Sequence, residues 1–174
     1  GEQPVLHTKH YLAMEQDIHY QNGMTCQDCH TSIDVHGDGF LAAANLAAVQ
    51  IECSDCHGTP NSYPWDLPIG YMDEFAEEPA DGAARGTEML PHTKQGHVID
   101  KQDGFLLTAR GNPYENVVRD GNEIIVHTAA GKDLRMKPLK MLIDEKKVSP
   151  RGVVAMQGVA THMKRMECYT CHSS

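Results

Sequence analysis

Three copies of one five-residue pattern contain all six cysteines of the chain. In each copy two residues separate the cysteines and histidine follows the second one, as in Cys26-Gln27-Asp28-Cys29-His30, Cys53-Ser54-Asp55-Cys56-His57 and Cys168-Tyr169-Thr170-Cys171-His172. Thiols at this spacing can bond as thioethers to the two vinyl groups of one haem, while the adjoining imidazole binds the iron. The pattern therefore predicts three covalently attached c-type haems, with His30, His57 and His172 as proximal iron ligands.

Zinc sites, redox-active thiol pairs and disulfides are the other common uses of paired cysteines. Zinc is disfavoured because three pairs do not divide into four-cysteine sites. A thioredoxin-like redox motif needs one pair beside a βαβ pattern, whereas this chain has three pairs and no such pattern. Haem attachment consumes every thiol, so we expect no structural disulfide.

Each haem iron also needs a sixth ligand, and eight histidines remain after the proximal three. The first candidates lie within seven residues of a motif, where a short excursion of the chain can return the imidazole to a haem: His19, His36 and His162. His10 and His97 come next. The other three, His7, His92 and His127, rank behind them. The pairing of these histidines with haems stays open, because in multihaem chains a ligand often serves the neighbouring haem.

Methionine is the competing sixth ligand, and it would raise the reduction potential of the haem that it binds. The chain has nine methionines, whose flexible thioethers also suit them to fill gaps around flat haem faces. Because histidine is in surplus, we expect ligation by two histidines at two or more haems. Such haems have low potentials.

The overall composition excludes some classes of function. With 15 Lys and Arg against 24 Asp and Glu, the formal charge is −9, which argues against nucleic acid as a partner. No apolar run approaches the roughly 18 residues that a bilayer span requires. Since thioether attachment of haem follows export, we expect a bacterial periplasmic or extracellular protein whose export signal has been removed. Only 6% of residues are aromatic, so we expect the haems to form the hydrophobic core.

The expected fold is mostly irregular, with short α-helices organised around covalent haems in one haem-cored domain over residues 1–174. Residues 1–60 form a two-haem segment. Residues 104–143 form a small antiparallel β insert, and residues 149–174 form a C-terminal helix with the third haem site. The helix is predicted to begin at Ser149-Pro150.

The β insert is predicted from three short runs of β-forming residues, 105–109, 116–119 and 123–128. Between the last two, Arg119-Asp120-Gly121-Asn122 is typical of a hairpin turn, because Asp-Gly readily adopts positive φ.

Three further segments have local signals of their own. Asp38 can cap a helix over residues 40–49. Residues 63–68 are expected to be extended and stiffened by proline, with Trp65 packed against a haem edge or the core. Residues 73–88 are expected to form an acidic, solvated loop.

The motifs lie within longer segments, namely residues 17–30, residues 34–39 (Asp34-Val35-His36-Gly37-Asp38-Gly39), residues 53–59 and residues 162–174. These segments resemble parts of large bacterial multihaem cytochromes c, among them the octahaem tetrathionate-reductase-like group and related periplasmic or extracellular proteins. The resemblance implies close-packed haems, ligation by His19, His36 and His162, and electron transfer. This chain has three haem sites rather than eight, and no lysine matches the lysine ligand of the active-site haem in that group. The resemblance therefore does not extend to their catalysis.

The leading functional hypothesis is a trihaem electron carrier. Its partners would be redox proteins such as other cytochromes, with basic or metal-bearing surfaces that complement the negative charge of the chain and the haem propionates. One alternative is a fragment or relative of a multihaem reductase of small sulfur or nitrogen oxyanions, which needs an iron with an open sixth position. Another is a subunit of a cytochrome filament or a larger multihaem assembly. Since the chain ends two residues after His172, we expect it to derive from a longer protein.

Overall fold

A computed structural model of the protein describes residues 18–30, 50–71, 81–89 and 103–154. Its centre is an antiparallel five-stranded sheet in which the strands follow one another in sequence order. The strands are β1 (Thr87–Glu88), β2 (Phe105–Leu107), β3 (Pro113–Asp120), β4 (Glu123–His127) and β5 (Asp133–Met136). The helices are short: α1 (Ile18–Gln21), α2 (Cys26–Cys29), α3 (Cys53–His57) and α4 (Leu139–Asp144), with a 3-10 turn at Pro64–Asp66.

Four of the five strands lie inside the range where the sequence predicts a sheet. Asp120 pairs with Glu123, which leaves a two-residue loop between β3 and β4. The first loop residue, Gly121, has a φ of 63°, as tight hairpins with glycine at this position require. The sequence analysis did not predict β5 or α4. It also placed β1 inside an acidic loop, and that part of the prediction is wrong because β1 pairs with β2.

The largest cluster of buried hydrophobic side chains in the described residues lies against the sheet. It consists of Trp65, Leu106, Tyr114, Val117, Ile124 and Val126. Met24 and Cys56, which lie beside or within the first two haem motifs, pack against this cluster. The sheet therefore has a hydrophobic core made of side chains. From the low aromatic content we had expected the haems to form the core.

Residues 63–68 were predicted to be extended, but the structure has a 3-10 turn within them. Pro64 begins a 3-10 turn, where its fixed φ is favourable and its missing N–H is not needed. The turn places Trp65 in the core, with the Tyr63 ring stacked on it at a centroid distance of 5.0 Å. The Arg119 guanidinium covers the Trp65 ring at 4.1 Å.

Some predicted features lie outside the described residues: the helix at 40–49, residues 73–80 of the acidic loop, the third motif, and the histidines His7, His10, His36, His92, His97 and His162. Residues 150–154 are helical, and the Ser149 hydroxyl oxygen accepts the Gly152 N–H at 3.2 Å. The helix thus begins where Ser149-Pro150 predicts it. Within the ranges that the structure covers, no helix is long and apolar enough to cross a bilayer.

Gly58, directly after His57, allows the chain to leave α3 in a direction that only glycine readily adopts. Its φ is 63° and its ψ is −149°, and a Cβ would lie 2.6 Å from the Ser62 carbonyl oxygen. We expect Gly58→Ala to lower the free energy of unfolding by about 1–3 kcal/mol, the usual cost of such a conformation. Chemical denaturation of the haem-loaded protein measures this loss.

Gly121→Ala is the matched control, because Gly121 has the same φ of 63° and no atom within 4 Å of the added methyl group. Its loss of stability should be smaller than that of Gly58→Ala. Equal losses in the two variants would contradict the close approach at Gly58.

Candidate haem-attachment site

The first motif helix, α2, is held by the carboxylate of Asp28, the third residue of the motif. One oxygen accepts the backbone N–H of Thr25 at 2.7 Å and its hydroxyl at 3.1 Å, which satisfies the start of the helix. The other oxygen accepts the Ala129 N–H at 2.7 Å, in the turn between β4 and β5. From the same turn, Lys132 donates to the Asn22 carbonyl at 2.9 Å. These bonds attach the first motif to the β4–β5 turn.

The second motif helix, α3, repeats this arrangement with Asp55 at the same motif position. One Asp55 oxygen accepts the Glu52 N–H at 2.8 Å and the Tyr114 hydroxyl at 3.0 Å. The other accepts a bond from Arg85 Nη1 at 2.6 Å. Since Tyr114 lies on β3, the second motif is also attached to the sheet.

Arg85 connects Asp55 to three separate parts of the backbone. Its guanidinium donates to the carbonyls of Leu67, Pro68 and Leu107 at 3.3, 3.1 and 3.2 Å. The Arg85 and Asp55 side chains are 1% and 0% exposed, so the ion pair is buried. Such a pair is tolerated because its remaining donors and acceptors are hydrogen-bonded.

Burial shifts the titration of the groups in this cluster. It raises the pKa of Asp55, although the Arg85 guanidinium and the hydrogen bonds to the carboxylate oppose the rise. Burial and the neighbouring Asp55 hold the pKa of Tyr114 well above its usual value. Tyr114 therefore remains a neutral phenol that donates its hydrogen bond to Asp55.

The thiols of the first two motifs differ in exposure. Cys26, Cys29 and Cys53 are exposed, whereas Cys56 is half-buried against the core. Burial raises the pKa of the Cys56 thiol, and the charges of Asp55, Cys29 and Cys53 raise it further.

His57, the histidine of the second motif, makes an edge-on ring contact with His19, which precedes the first motif. Their ring centroids are 6.0 Å apart, with an angle of 61° between the ring planes. Burial, and then the charge of His19, lowers the pKa of His57, which favours the neutral imidazole that binds metals.

The separation of these rings is suited to two ligands of one iron. Metal–imidazole bonds of about 2.0 Å place the centroids of two opposing rings about 6 Å apart. The centroid distance of 6.0 Å between His19 and His57 is compatible with that value.

The structure describes seven of the predicted site residues, namely Cys26, Cys29, His30, Cys53, Cys56, His57 and His19, and places the rings of His19 and His57 in contact. The others, Cys168, Cys171, His172, His36, His162, His10 and His97, lie outside the described residues. His127 lies on β4, where its Nδ1 is 2.7 Å from Asp133. Over the parts of the chain that the structure covers, no group of three or more His, Cys, Asp or Glu residues is arranged to hold a metal ion directly. A haem iron needs only two protein ligands, because the porphyrin nitrogens supply the other four.

The sequence analysis missed four residues that position the motifs: Asp28, Asp55, Arg85 and Tyr114. A signal for two of them was present, because the third residue of the first two motifs is aspartate, whereas the third motif has Thr170 there. Arg85 and Tyr114 had no comparable signal, since their contacts join residues far apart in the sequence.

Comparison with protein-family models, with curated proteins and with solved structures gives no match to this chain. The resemblance to multihaem cytochromes c therefore stays a prediction based on the motif-bearing segments.

Proposed function

We propose that this protein is a trihaem c-type cytochrome that transfers electrons in the periplasm or at the cell exterior. The neighbouring imidazoles of His19 and His57, with ring centroids 6.0 Å apart, carry the proposal, because two ligands of one iron have about this spacing. Haem c supplies one-electron redox chemistry at its iron when it is bound. The cysteines of each motif would hold one haem, and ligation by two histidines favours a low potential.

The placement of the two described motifs supports a role in electron transfer. Asp28 and Asp55 attach both motif helices to one sheet. Motifs fixed to a common sheet would keep a constant separation between two redox centres. The third haem would be held by Cys168 and Cys171, with His172 as its proximal ligand.

The charge of the chain indicates what kind of partner would dock. A formal charge of −9, made more negative by haem propionates, favours redox proteins with basic or metal-bearing surfaces. Such docking should weaken as salt screens the charges. Assembly with further cytochrome subunits would extend the same electron path.

His19→Ala tests the proposal in the full haem-loaded chain. We expect one of three ferric haems to change from low-spin to high-spin, because its iron loses one strong ligand. Electron paramagnetic resonance measures the high-spin fraction. His127→Ala is the control, since His127 pairs with Asp133, and it should leave the spin state unchanged.

The same substitution in a chain that lacks the second haem identifies the haem iron that His19 binds. In a chain whose Cys53 and Cys56 are both alanine, the haem of that motif is missing, so His19→Ala should add no high-spin signal. A high-spin signal there would assign His19 to another haem. An unchanged spectrum in the His19→Ala single variant would remove His19 as a ligand.

A further inference from the structure

We infer that the buried cluster of Arg85, Asp55 and Tyr114 sets the reduction potential of the haem held by Cys53 and Cys56. The inference rests on the proposed function, since it concerns a haem at the second motif. It gives this cluster an electrostatic role beyond holding α3 on the sheet.

The cluster holds two opposite charges in a fixed, dry arrangement. Arg85 Nη1 lies 2.6 Å from one Asp55 oxygen, and the Tyr114 hydroxyl donates to the other oxygen at 3.0 Å. The two charged side chains are 1% and 0% exposed. Charges in such surroundings interact more strongly with their neighbours than charges in water do.

The cluster also lies beside the point where the haem would be attached. Asp55 is bonded through the backbone to Cys56, whose sulfur would form a thioether to the macrocycle. Cys56 packs against the core cluster that contains Tyr114. A haem held at Cys56 would therefore be attached one residue away from Asp55 in the chain.

The sign of the effect follows from charge. Reduction adds one electron from a redox partner to the ferric iron, and no bond forms or breaks. A nearby unpaired cation favours the reduced form, whereas a nearby unpaired anion disfavours it. Arg85 keeps its charge throughout, because a guanidinium does not lose its proton in proteins. Asp55 balances that charge, and Tyr114 stabilises the Asp55 carboxylate by its hydrogen bond.

Asp55→Asn is the first test, made on the full chain with its haems attached. The variant removes the anion while keeping the shape of the side chain, so Arg85 is left as an unbalanced cation. A spectroscopic redox titration should show one of three midpoint potentials rising and the other two unchanged. Asp120→Asn is the matched control, because Asp120 also lies 2.6 Å from an arginine, Arg135, but is 44% exposed. It should shift none of the potentials.

Tyr114→Phe is the second test. It keeps the aromatic ring in the core, so it can be measured even if Asp55→Asn does not fold. Loss of the hydroxyl removes one donor to the Asp55 carboxylate, so the potential of the same haem should shift while the other two stay unchanged. A shift confined to that haem in both variants would place the effect of the cluster at the second motif. Unchanged potentials in Tyr114→Phe, or an equal shift of all three haems in either variant, would overturn the inference.

The haem content of the unmodified protein separates the two proposals. A chain without three low-spin haems contradicts the proposed function. If the protein has three low-spin haems but the substitutions do not change their midpoint potentials, only the role of the cluster is contradicted.

Discussion

Arg85→Met is expected to lower the free energy of unfolding by about 3–5 kcal/mol, the usual result of removing one partner from a buried ion pair. The substitution leaves the Asp55 carboxylate buried without its countercharge. It also removes the donors to the carbonyls of Leu67, Pro68 and Leu107. Methionine keeps a long apolar side chain in place, so the effect reports on charge and hydrogen bonding more than on lost volume. Denaturant unfolding of the haem-loaded protein measures it.

Arg135→Met is the matched control for this prediction. Arg135 also lies 2.6 Å from an aspartate, Asp120, but these side chains are 57% and 44% exposed. Exposed ion pairs contribute little, so the stability of this variant should be nearly unchanged. Arg85→Met combined with Asp55→Asn should regain part of the loss, because no buried charge remains. If Arg85→Met is as mild as the control, the ion pair does not hold the second motif on the sheet.

Replacing Cys53 and Cys56 together with alanine is expected to reduce the haem content from three per chain to two. It should also lower stability markedly, because a large apolar group would be lost beside the core. The sheet should survive, since Trp65, Leu106 and Ile124 belong to a core made of side chains. Haem quantification as the pyridine haemochrome, mass spectrometry and circular dichroism together measure these three outcomes.

Ser54→Ala is the control within the same helix. The Ser54 hydroxyl is buried and has no hydrogen-bond partner among the described residues, so its loss should leave both haem content and stability near those of the unmodified protein. Three haems and unchanged stability in the double cysteine variant would contradict haem attachment at the second motif.

The sequence allowed prediction of features whose signals are local. Three repeated cysteine–histidine patterns mark the candidate sites without any knowledge of the fold. The β3–β4 hairpin has its signal in Asp120-Gly121, and the structure has the two-residue loop one residue later, at Gly121-Asn122, where Gly121 supplies the positive φ. Ser149-Pro150 likewise carries a local helix-start signal.

Features that depend on distant contacts could not be predicted in the same way. β1 has only two residues and exists through its pairing with β2. Arg85 lies in a run rich in acidic residues, glycine and alanine that suggested a solvated loop, yet its partner Asp55 lies 30 residues earlier. The ring contact between His19 and His57 depends on how two separate segments pack, so the spacing of His19 from the nearest motif did not predict it.

The central claim is that the chain holds three haems and that His19 and His57 share one iron. Low-temperature electron paramagnetic resonance of the oxidised protein, with haem counted per chain by the pyridine haemochrome, tests it most directly. We expect three haems per chain. The haem of the second motif, which Cys53 and Cys56 would hold, should give the low-spin signal of paired imidazoles. Fewer than three haems, or a high-spin signal from the haem of the second motif, would contradict the account.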